Sequence, residues 1–377
     1  MNWLFGFAPL LTWLYLLSGR GFFWLARERD DNTVPAPKAW PSVTAIVPAR
    51  DEADVIARSI GSLLAQDYPG HFRIVLVDDQ SGDGTAEIAR HLGNENLTVL
   101  SGAARPSGWT GKLWAVKQGI AQAIDRDSPE YLWLTDADIA HTQDNLRHLV
   151  SRAERGNLVL TSLMAKLHCK TLAEQLLVPA FVFFFDMLFP FGWVNDPRNS
   201  TAAAAGGCML VRREALERAG GIDSIRHEII DDCALGRRMK THGPIWLGLT
   251  NRATSLRPYK TIGEIRKMVS RSAYAQLAYS PLLLAGTVIG MVLVYAAAPF
   301  AALLAEGPGR WAAIAAWAMM ALAFLPMLRF YRLSPLWGLA LPVIGGLYAA
   351  FTVDSAIQHW RGRGGMWKGR AQALGKT

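Results

Sequence analysis

Short apolar runs alternate with amphipathic segments through the middle of the chain. Seven of the runs have the length and composition of buried strands, at residues 43–47, 72–77, 97–100, 131–138, 157–163, 206–211 and 244–248. Apolar residues at helical spacing follow several of them, at residues 52–66, 85–92, 113–124 and 231–240. Strands that alternate with helices predict an α/β fold whose parallel sheet is covered by helices on both faces.

Longer apolar runs lie at the two ends of the chain. Residues 277–305, 311–328 and 336–353 are long enough to cross a membrane, and they predict transmembrane helices within residues 277–356. The run at residues 3–18, with arginines after it, predicts a membrane anchor helix within residues 1–27 that leaves the downstream chain in the cytoplasm. Because this run is short, a tilted or partly interfacial helix is the alternative.

Two further segments bear on the membrane arrangement. Residues 174–193 predict a helix at the membrane interface, with a core helix as the alternative. Residues 357–377 form a basic tail, which would lie outside the cell if all three C-terminal runs crossed the membrane, against the usual distribution of basic residues. Pro342 and Gly345-Gly346 would allow the last run to re-enter instead. We favour a cytoplasmic tail.

Composition and charge support a membrane protein. Hydrophobic residues make up 51% of the 377 residues, and the formal net charge is +8. The basic residues are spread out and flank apolar runs, which favours an anionic membrane surface over nucleic acid as the partner. Cys169, Cys208 and Cys233 form no paired framework, so a reduced, cytoplasmic compartment is expected for the globular part.

The strand at residues 131–138 ends in two carboxylates, Asp136 and Asp138. Strand alternation would place both on one side of the sheet, at its carboxyl end. Open α/β sheets bind ligands beyond this end of their strands. Two oxygen ligands there suit a divalent cation that also holds a diphosphate.

Two other acidic clusters follow the first two strands. Pro48-Ala-Arg50-Asp51-Glu52 ends the first strand, and Val77-Asp78-Asp79-Gln-Ser81-Gly-Asp83-Gly84-Thr85 ends the second. Carboxylates at a helix start are ordinarily caps. Three clusters at the same edge of a sheet indicate a binding site instead.

These motifs, together with the acidic pair Asp231-Asp232, resemble a family 2 glycosyltransferase of the GT-A fold. The resemblance covers residues 40–275 and implies a Rossmann-like mixed sheet that binds a nucleotide-diphospho-sugar. It is closest to membrane-bound members that glycosylate lipids, above all the bacterial hopene-associated glycosyltransferases, and also to ceramide glucosyltransferase-like enzymes. The segments 108–115 and 352–360 carry the hopene-associated likeness.

The resemblance implies roles for particular residues. Pro48, Arg50, Glu52 and Asp79 would bind the nucleoside; Lys112, Asp136 and Arg271 would contact the diphosphate; Asp138, with Asp136 through water, would hold Mg²⁺ or Mn²⁺; and Asp232 would be the general base. The alternatives are a solvated lysine at a helix start for Lys112, helix capping for the acidic pair and an interfacial cation for Arg271. Residues 268–272 lack the Gln and Trp of the Q-x-x-R-W motif, which argues against a processive synthase.

The implied activity is inverting transfer of a sugar from a nucleotide-sugar, a UDP-sugar in particular, to the hydroxyl of a membrane lipid such as a hopanoid. Ceramide, diacylglycerol, a carotenoid or a polyprenyl phosphate are alternative acceptors. The protein would be a multi-pass protein of the bacterial cytoplasmic membrane, with its catalytic domain in the cytoplasm. A non-catalytic, nucleotide-binding membrane scaffold is the alternative of another class.

Overall fold

The computed structural model describes residues 4–363, 366–367 and 370–371, and it divides into two compact units. The helical unit draws on residues 4–27, 169–192 and 259–363, and the sheet unit on residues 28–168 and 193–258, with the C-terminal residues 366–367 and 370–371. Residues 259–275, which the sequence analysis grouped with the sheet, therefore belong to the helical unit. Residues 1–3 lie outside the described residues, and so do residues 364–365, 368–369 and 372–377 of the predicted basic tail.

One large sheet forms the core of the sheet unit. Its strands are β1 Val43–Ala49, β2 Phe72–Asp78, β3 Leu97–Ser101, β4 Tyr131–Thr135, β5 Ile139–His141, β6 Leu160–Lys166, β7 Cys208–Arg212 and β8 Ile245–Ser255. They lie side by side in the order β3-β2-β1-β4-β7-β6-β8-β5. A short antiparallel pair, β9 Met366–Trp367 and β10 Arg370–Ala371, follows near the C-terminus.

The sheet is mixed, as the GT-A resemblance implied. Strands β3, β2, β1 and β4 are parallel, but β7 runs antiparallel to both of its neighbours, β4 and β6. The parallel sheet predicted from the strand–helix alternation was therefore wrong beyond β4. Strand β7 pairs in antiparallel register with the first three residues of β6, with Met209 opposite Ser162 and Val211 opposite Leu160.

Helices cover the sheet and form the helical unit. In chain order they are α1 Leu4–Gly19, α2 Ile56–Leu64, α3 Thr85–Arg90, α4 Gly111–Arg126, α5 Asn145–Arg155, α6 Leu172–Leu188, α7 Phe191–Asn195, α8 Arg213–Arg218, α9 Asp231–Lys240, α10 Ile262–Ser270, α11 Ala273–Gln276, α12 Pro281–Met291, α13 Ala297–Leu304, α14 Gly307–Phe330 and α15 Leu341–Trp360. A π-helical segment, Val292–Ala296, joins α12 to α13, and a 3₁₀ helix, Pro335–Ala340, leads into α15.

Helix α5 was missed by the sequence analysis although its pattern is regular. Leu146, Leu149, Val150 and Ala153 are buried and recur at helical spacing. Helix α4 lies close against the strands because Gly119 has no side chain: a Cβ there would lie 2.6 Å from Cγ2 of Ile46. This close packing sets the position of the first turn of α4 at the carboxyl edge of the sheet.

The segment predicted as an interfacial helix is α6, which packs among the helices of its own unit. A capping box starts it, in which Thr171 Oγ1 accepts from the Glu174 N–H and Glu174 Oε2 accepts from the Thr171 N–H. The ring of Phe183 lies 5.1 Å from that of Phe324 on α14, and the hydroxyl of Tyr348 on α15 donates to Leu177 O. Leu172 and Leu188, at its two ends, are exposed.

The long apolar helices run in two directions. Only Ala305 and Glu306 separate α13 from α14, so these two neighbours are antiparallel. Helix α15 is antiparallel to α12 and α13 as well, because its residue Gly345 lies at Tyr295 while Ala356 shares a cluster with Leu284. Consequently α14 and α15 run in the same direction, and their C-terminal ends lie on the side where α12 begins.

Helix α1 follows the direction of α14. Gly6 packs directly on Gly309, so the first turns of α1 and α14 meet. Further along α1, the indole N–H of Trp13 donates to Val294 O at 2.8 Å. The end of α1, from which the chain leads to the sheet unit, is therefore on the same side of the helical unit as the ends of α14 and α15.

Three helical segments are long and apolar enough to cross a membrane: Pro281–Leu304, Gly307–Phe330 and Pro335–Trp360. Helix α1 is shorter. Its 16 residues extend about 24 Å at 1.5 Å per residue, against a hydrocarbon core of about 30 Å.

Neighbouring glycines of α15 offer a matched test of this packing. A Cβ at Gly345 would lie 2.5 Å from the Tyr295 ring, whereas nothing lies within 4 Å of one at Gly346. We expect Gly345→Ala to destabilise the protein by about 1–3 kcal/mol through overpacking and Gly346→Ala to be neutral or slightly stabilising, because alanine favours helices. Thermal unfolding in detergent measures both. Equal effects of the two substitutions would contradict the helix packing described above.

Candidate active site

A cleft lies at the carboxyl edge of the sheet, beyond the ends of β1 and β4. It is open to solvent, spans about 330 Å³ with that solvent included, and is lined by Pro48, Lys112, Asp136, Gly206 and Asp231, among others. This is the edge at which open α/β sheets bind ligands. The structure thus brings Pro48, Lys112, Asp136 and Asp231 together within the sheet unit.

Lys112 is the central cation of the cleft. It stands in the first turn of α4, which Thr110 starts by accepting a hydrogen bond from the Leu113 N–H. Its Nζ lies 2.9 Å from Asp136 Oδ1 and 3.1 Å from Asp231 Oδ2. Burial opposes its charge, but the two carboxylates outweigh burial and raise the pKa of Lys112 above its usual value. Lys112 is therefore a paired cation, rather than the solvated lysine of the alternative interpretation.

Asp136 and Asp138 face different partners. Strand β4 ends at Thr135, so both residues belong to the turn before β5, and the prediction that strand alternation places them on one side does not apply. Asp136 pairs with Lys112, whereas Asp138 Oδ2 lies 3.3 Å from Nε of Arg257. Burial raises the pKa of Asp136, and Lys112 opposes that rise. Two carboxylates with separate partners are thus presented to the same cleft region.

Asp232 lies in the first turn of α9 and is fixed by backbone donors. Its Oδ2 accepts from the Gly206 N–H at 2.9 Å, and its Oδ1 accepts from the Cys233 N–H at 2.7 Å. Burial and the negative charge of Asp231 raise the pKa of Asp232 to about 6, against the opposing effect of Lys112. A carboxylate with this pKa is ionised at neutral pH yet more basic than an ordinary aspartate. The bond to Cys233 is a capping contact, so both interpretations of the acidic pair apply to Asp232.

The residues predicted to hold a nucleoside lie at the ends of β1 and β2. The guanidinium of Arg50 donates to Asp79 O and lies 3.8 Å from the carboxylate of this buried residue. The Glu52 N–H donates to Thr85 Oγ1 at 2.8 Å. Pro48 lines the cleft itself. The turn after β1 is therefore fastened to the turn after β2, which explains why both motifs are needed to build one surface.

Sequence analysis missed Arg257. This residue follows β8, and its guanidinium contacts Glu52 Oε2 as well as Asp138. It joins carboxylates that come from the turns after two different strands. The sequence offers one signal for it, a basic residue just beyond the carboxyl end of β8, but no recognised motif contains that residue. Arg271, the predicted diphosphate contact, is exposed at the end of α10 in the helical unit and stays a prediction from sequence.

Behind the cleft, His141 holds the turn that carries Asp136. Its Nδ1 lies 2.9 Å from Asn145 Nδ2, and its Nε2 lies 2.9 Å from Thr135 Oγ1, which donates to Gly207 O. Burial lowers the pKa of His141 to about 3. The ring is therefore neutral at physiological pH, and this network ties Asp136 to the backbone beside Gly206, to which Asp232 is bonded.

The donor set fits Mg²⁺ or Mn²⁺ held together with a diphosphate. Within the part of the chain that the structure describes, no group of three His, Cys, Asp or Glu side chains forms a metal site of protein ligands alone. Mg²⁺ bound with phosphates needs only one or two carboxylates, because phosphate oxygens and water complete its shell. Asp136 and Asp138 can supply them: their side chains are 34% and 24% exposed, and the ion pairs given above engage one oxygen of each.

Comparison with known proteins agrees with this geometry. Residues 44–220 match the model of glycosyl transferase family 2. The match covers most of the large mixed sheet, whose architecture is that of the GT-A fold. The domain is shared with enzymes that use nucleotide-sugars, and the chain resembles several of them.

Two curated relatives act on lipids according to their names. The chain is 27% identical over 201 residues to 4,4'-diaponeurosporenoate glycosyltransferase of Staphylococcus aureus, covering 52% of this chain and 50% of that one. It is 28% identical over 221 residues to beta-monoglucosyldiacylglycerol synthase of Synechocystis, covering 56% and 42%. The chain thus spans half or less of the length of these relatives.

A solved structure shares the fold over nearly the whole chain. The mannosyltransferase PcManGT of Pyrobaculum calidifontis, solved with GDP-Man and Mn²⁺, superposes with a TM-score of 0.54 at 19% identity, covering 96% of this chain and 99% of that one. At this identity the likeness shows the fold alone.

Proposed function

We propose that the protein is a membrane-bound, inverting glycosyltransferase that moves a sugar from a UDP-sugar to the hydroxyl of a membrane lipid. The observation that carries the proposal is the cleft in which Lys112 joins Asp136 to Asp231, with Asp232 fixed beside them. It offers a cation for a diphosphate and a basic carboxylate for an acceptor, and Lys112 and Asp136 lie within the residues that match glycosyl transferase family 2.

The donor site would be built from the residues of the three strand-end motifs. Pro48, Arg50, Glu52 and Asp79 would hold the nucleoside, whose N–H and hydroxyl groups suit carboxylate acceptors. Lys112 would bind the diphosphate, and Asp136 would take part in binding the nucleotide-sugar. The sequence likeness alone assigns Arg271 a contact to the diphosphate or the acceptor. Asp138, with Asp136 through water, would hold Mg²⁺ or Mn²⁺, which offsets the charge that develops on the departing nucleoside diphosphate.

The charge of the cleft supports the need for a cation. Among the described residues that meet here, the carboxylates are Glu52, Asp136, Asp138, Asp231 and Asp232, and the cations paired with them are Lys112 and Arg257. A diphosphate brings further negative charge, and like charges at close range repel strongly in a partly buried site. A divalent cation would restore the balance.

Asp232 would be the general base. The acceptor hydroxyl attacks the anomeric carbon from the face opposite the nucleoside diphosphate, which leaves as the new bond forms. Asp232 accepts the hydroxyl proton during this single displacement. The Gly206 N–H orients the carboxylate, and a pKa of about 6 gives the carboxylate more affinity for that proton than an ordinary aspartate has.

A lipid acceptor is supported by the named lipid substrates of the curated relatives and by the apolar helices of the chain. A hopanoid is the acceptor that we propose, on the sequence likeness of residues 108–115 and 352–360. The non-catalytic scaffold is disfavoured because Asp138 and Asp232 are both present at the cleft. Nucleotide-sugar turnover by the purified protein would exclude it.

Loss of the gene in the source bacterium tests the acceptor. We expect a glycosylated hopanoid to disappear and its unglycosylated precursor to accumulate in total lipid extracts compared by mass spectrometry. Expression of the intact gene should reverse both changes. Loss of a different glycolipid would keep the enzyme class and replace the acceptor. Unchanged glycolipids would contradict a lipid hydroxyl acceptor and favour polyprenyl phosphate or the scaffold.

Replacement of the base tests the mechanism. Asp232→Asn should lower kcat by roughly 10²–10⁴-fold, the usual contribution of a general base, and leave nucleotide binding nearly intact. In the unaltered enzyme, activity should fall as the pH drops through about 6, because protonation removes the base. Initial rates between pH 5 and 8 measure this. Full activity of the variant would point to an acceptor that is already ionised, such as a polyprenyl phosphate.

We also propose that the chain crosses the bacterial cytoplasmic membrane so that the sheet unit and the tail share the cytoplasmic side. The ends of α1, α14 and α15 lie on one side of the helical unit, and the sheet unit follows α1 in the chain. Gly338, in the 3₁₀ helix Pro335–Ala340, packs on Ala321 of α14. This 3₁₀ helix therefore lies alongside α14 and not beyond its C-terminal end. Pro335–Trp360 would therefore enter the membrane and return instead of crossing it.

Labelling of single cysteines tests this topology. We place Glu306→Cys between α13 and α14, and Arg361→Cys just after α15; both positions are exposed. The background replaces Cys169, Cys208 and Cys233 by serine. An impermeant maleimide should label Glu306→Cys in intact spheroplasts and Arg361→Cys only after the membrane is opened. Labelling of both in intact spheroplasts would show that the last segment crosses.

A further inference from the structure

Arg257 occupies a position that neither the motifs nor the proposed chemistry assigns. It lies just beyond β8, where the Leu256 N–H donates to Asp138 O at 2.8 Å and holds the backbone of this segment beside the acidic turn. Its Nε lies 3.3 Å from Asp138 Oδ2, and its Nη2 contacts Glu52 Oε2. A guanidinium is permanently charged and is rigid enough to bridge two carboxylates at once.

The partners of Arg257 are the two residues that a donor needs. Asp138 is the carboxylate proposed to hold the divalent cation, and Glu52 is proposed to hold the nucleoside. The Arg257 side chain is 32% exposed, so it can move towards the cleft opening without breaking the core. A divalent cation on the other oxygen of Asp138 would lie close to this guanidinium, and the two positive charges repel each other.

We propose that Arg257 is a positioning residue that makes cation binding depend on the nucleotide. Without donor, the guanidinium neutralises Asp138 and Glu52, and its charge weakens the binding of a divalent cation beside it. The diphosphate of the donor offers the guanidinium a new anionic partner, so that the nucleotide and the cation bind more tightly together than either binds alone. The inference rests on the proposed donor site, and it adds an order of assembly to it.

The test is Mn²⁺ binding to the full-length protein in detergent, followed through the electron paramagnetic resonance signal of free Mn²⁺. UDP is the nucleotide probe. In the unaltered protein we expect UDP to tighten Mn²⁺ binding by roughly 5- to 150-fold, the usual range of coupling between two sites. In Arg257→Gln, Mn²⁺ binding without UDP should be stronger than in the unaltered protein, and the effect of UDP should shrink.

Two further variants control the experiment. Arg73→Gln breaks an arginine–carboxylate pair with Asp127 near the start of β2, away from the carboxyl edge, and it should behave like the unaltered protein. Arg257→Lys keeps the charge and should retain most of the coupling, which also covers the case in which Arg257→Gln does not fold.

The outcomes separate the inference from the proposed function. If UDP and Mn²⁺ bind together but the coupling in Arg257→Gln equals that of the unaltered protein, Arg257 does not gate the cation and the donor site stands. If Arg257→Lys loses the coupling while the protein stays folded, charge at this position is not the cause and the inference also fails. If the unaltered protein binds neither UDP nor Mn²⁺, both the donor site and the inference are wrong.

Discussion

The active-site cleft depends on the ion pairs that Lys112 makes with Asp136 and Asp231. These carboxylates come from the turn after β4 and from the start of α9, which are held by different parts of the sheet. Two partly buried carboxylates at this distance would repel each other without the cation between them. Lys112 thus allows the turn that carries Asp136 and the helix that carries Asp232 to share one cleft.

Buried hydrogen bonds also hold the turn of Asp136 and the side chain of Asp232 in place. The neutral ring of His141 links the turn of Asp136 to the backbone at Gly207, while the neighbouring Gly206 N–H holds Asp232. Asp136, the proposed metal ligand, and Asp232, the proposed base, are therefore joined through a few buried hydrogen bonds. In such a network each polar group depends on its partners, because an unpaired polar group is costly in a low-dielectric interior.

Much of the fold and of the site could be predicted from sequence because it is encoded locally. Strand β4 and the acids after it are contiguous, and so are the two other acidic clusters, so that their place at the sheet edge follows from chain order. The direction of β7 and the role of Arg257 could not be predicted. Both depend on which distant segments become neighbours, and a single arginine after a strand carries no pattern. The side of the membrane on which the tail lies was left open for the same reason: it depends on how α15 packs against α12 and α13.

The pairing of Trp13 with Val294 has a consequence for biosynthesis. The two residues are separated by 281 positions, and most of the sheet unit is translated between them. Helix α1 leaves the ribosome first, before α13 and α14, against which it packs, have been made. It must therefore wait in the membrane, or at its surface, while the large sheet folds. A chain arrested before α14 would hold all eight strands of that sheet on an anchor that lacks its α14 contact.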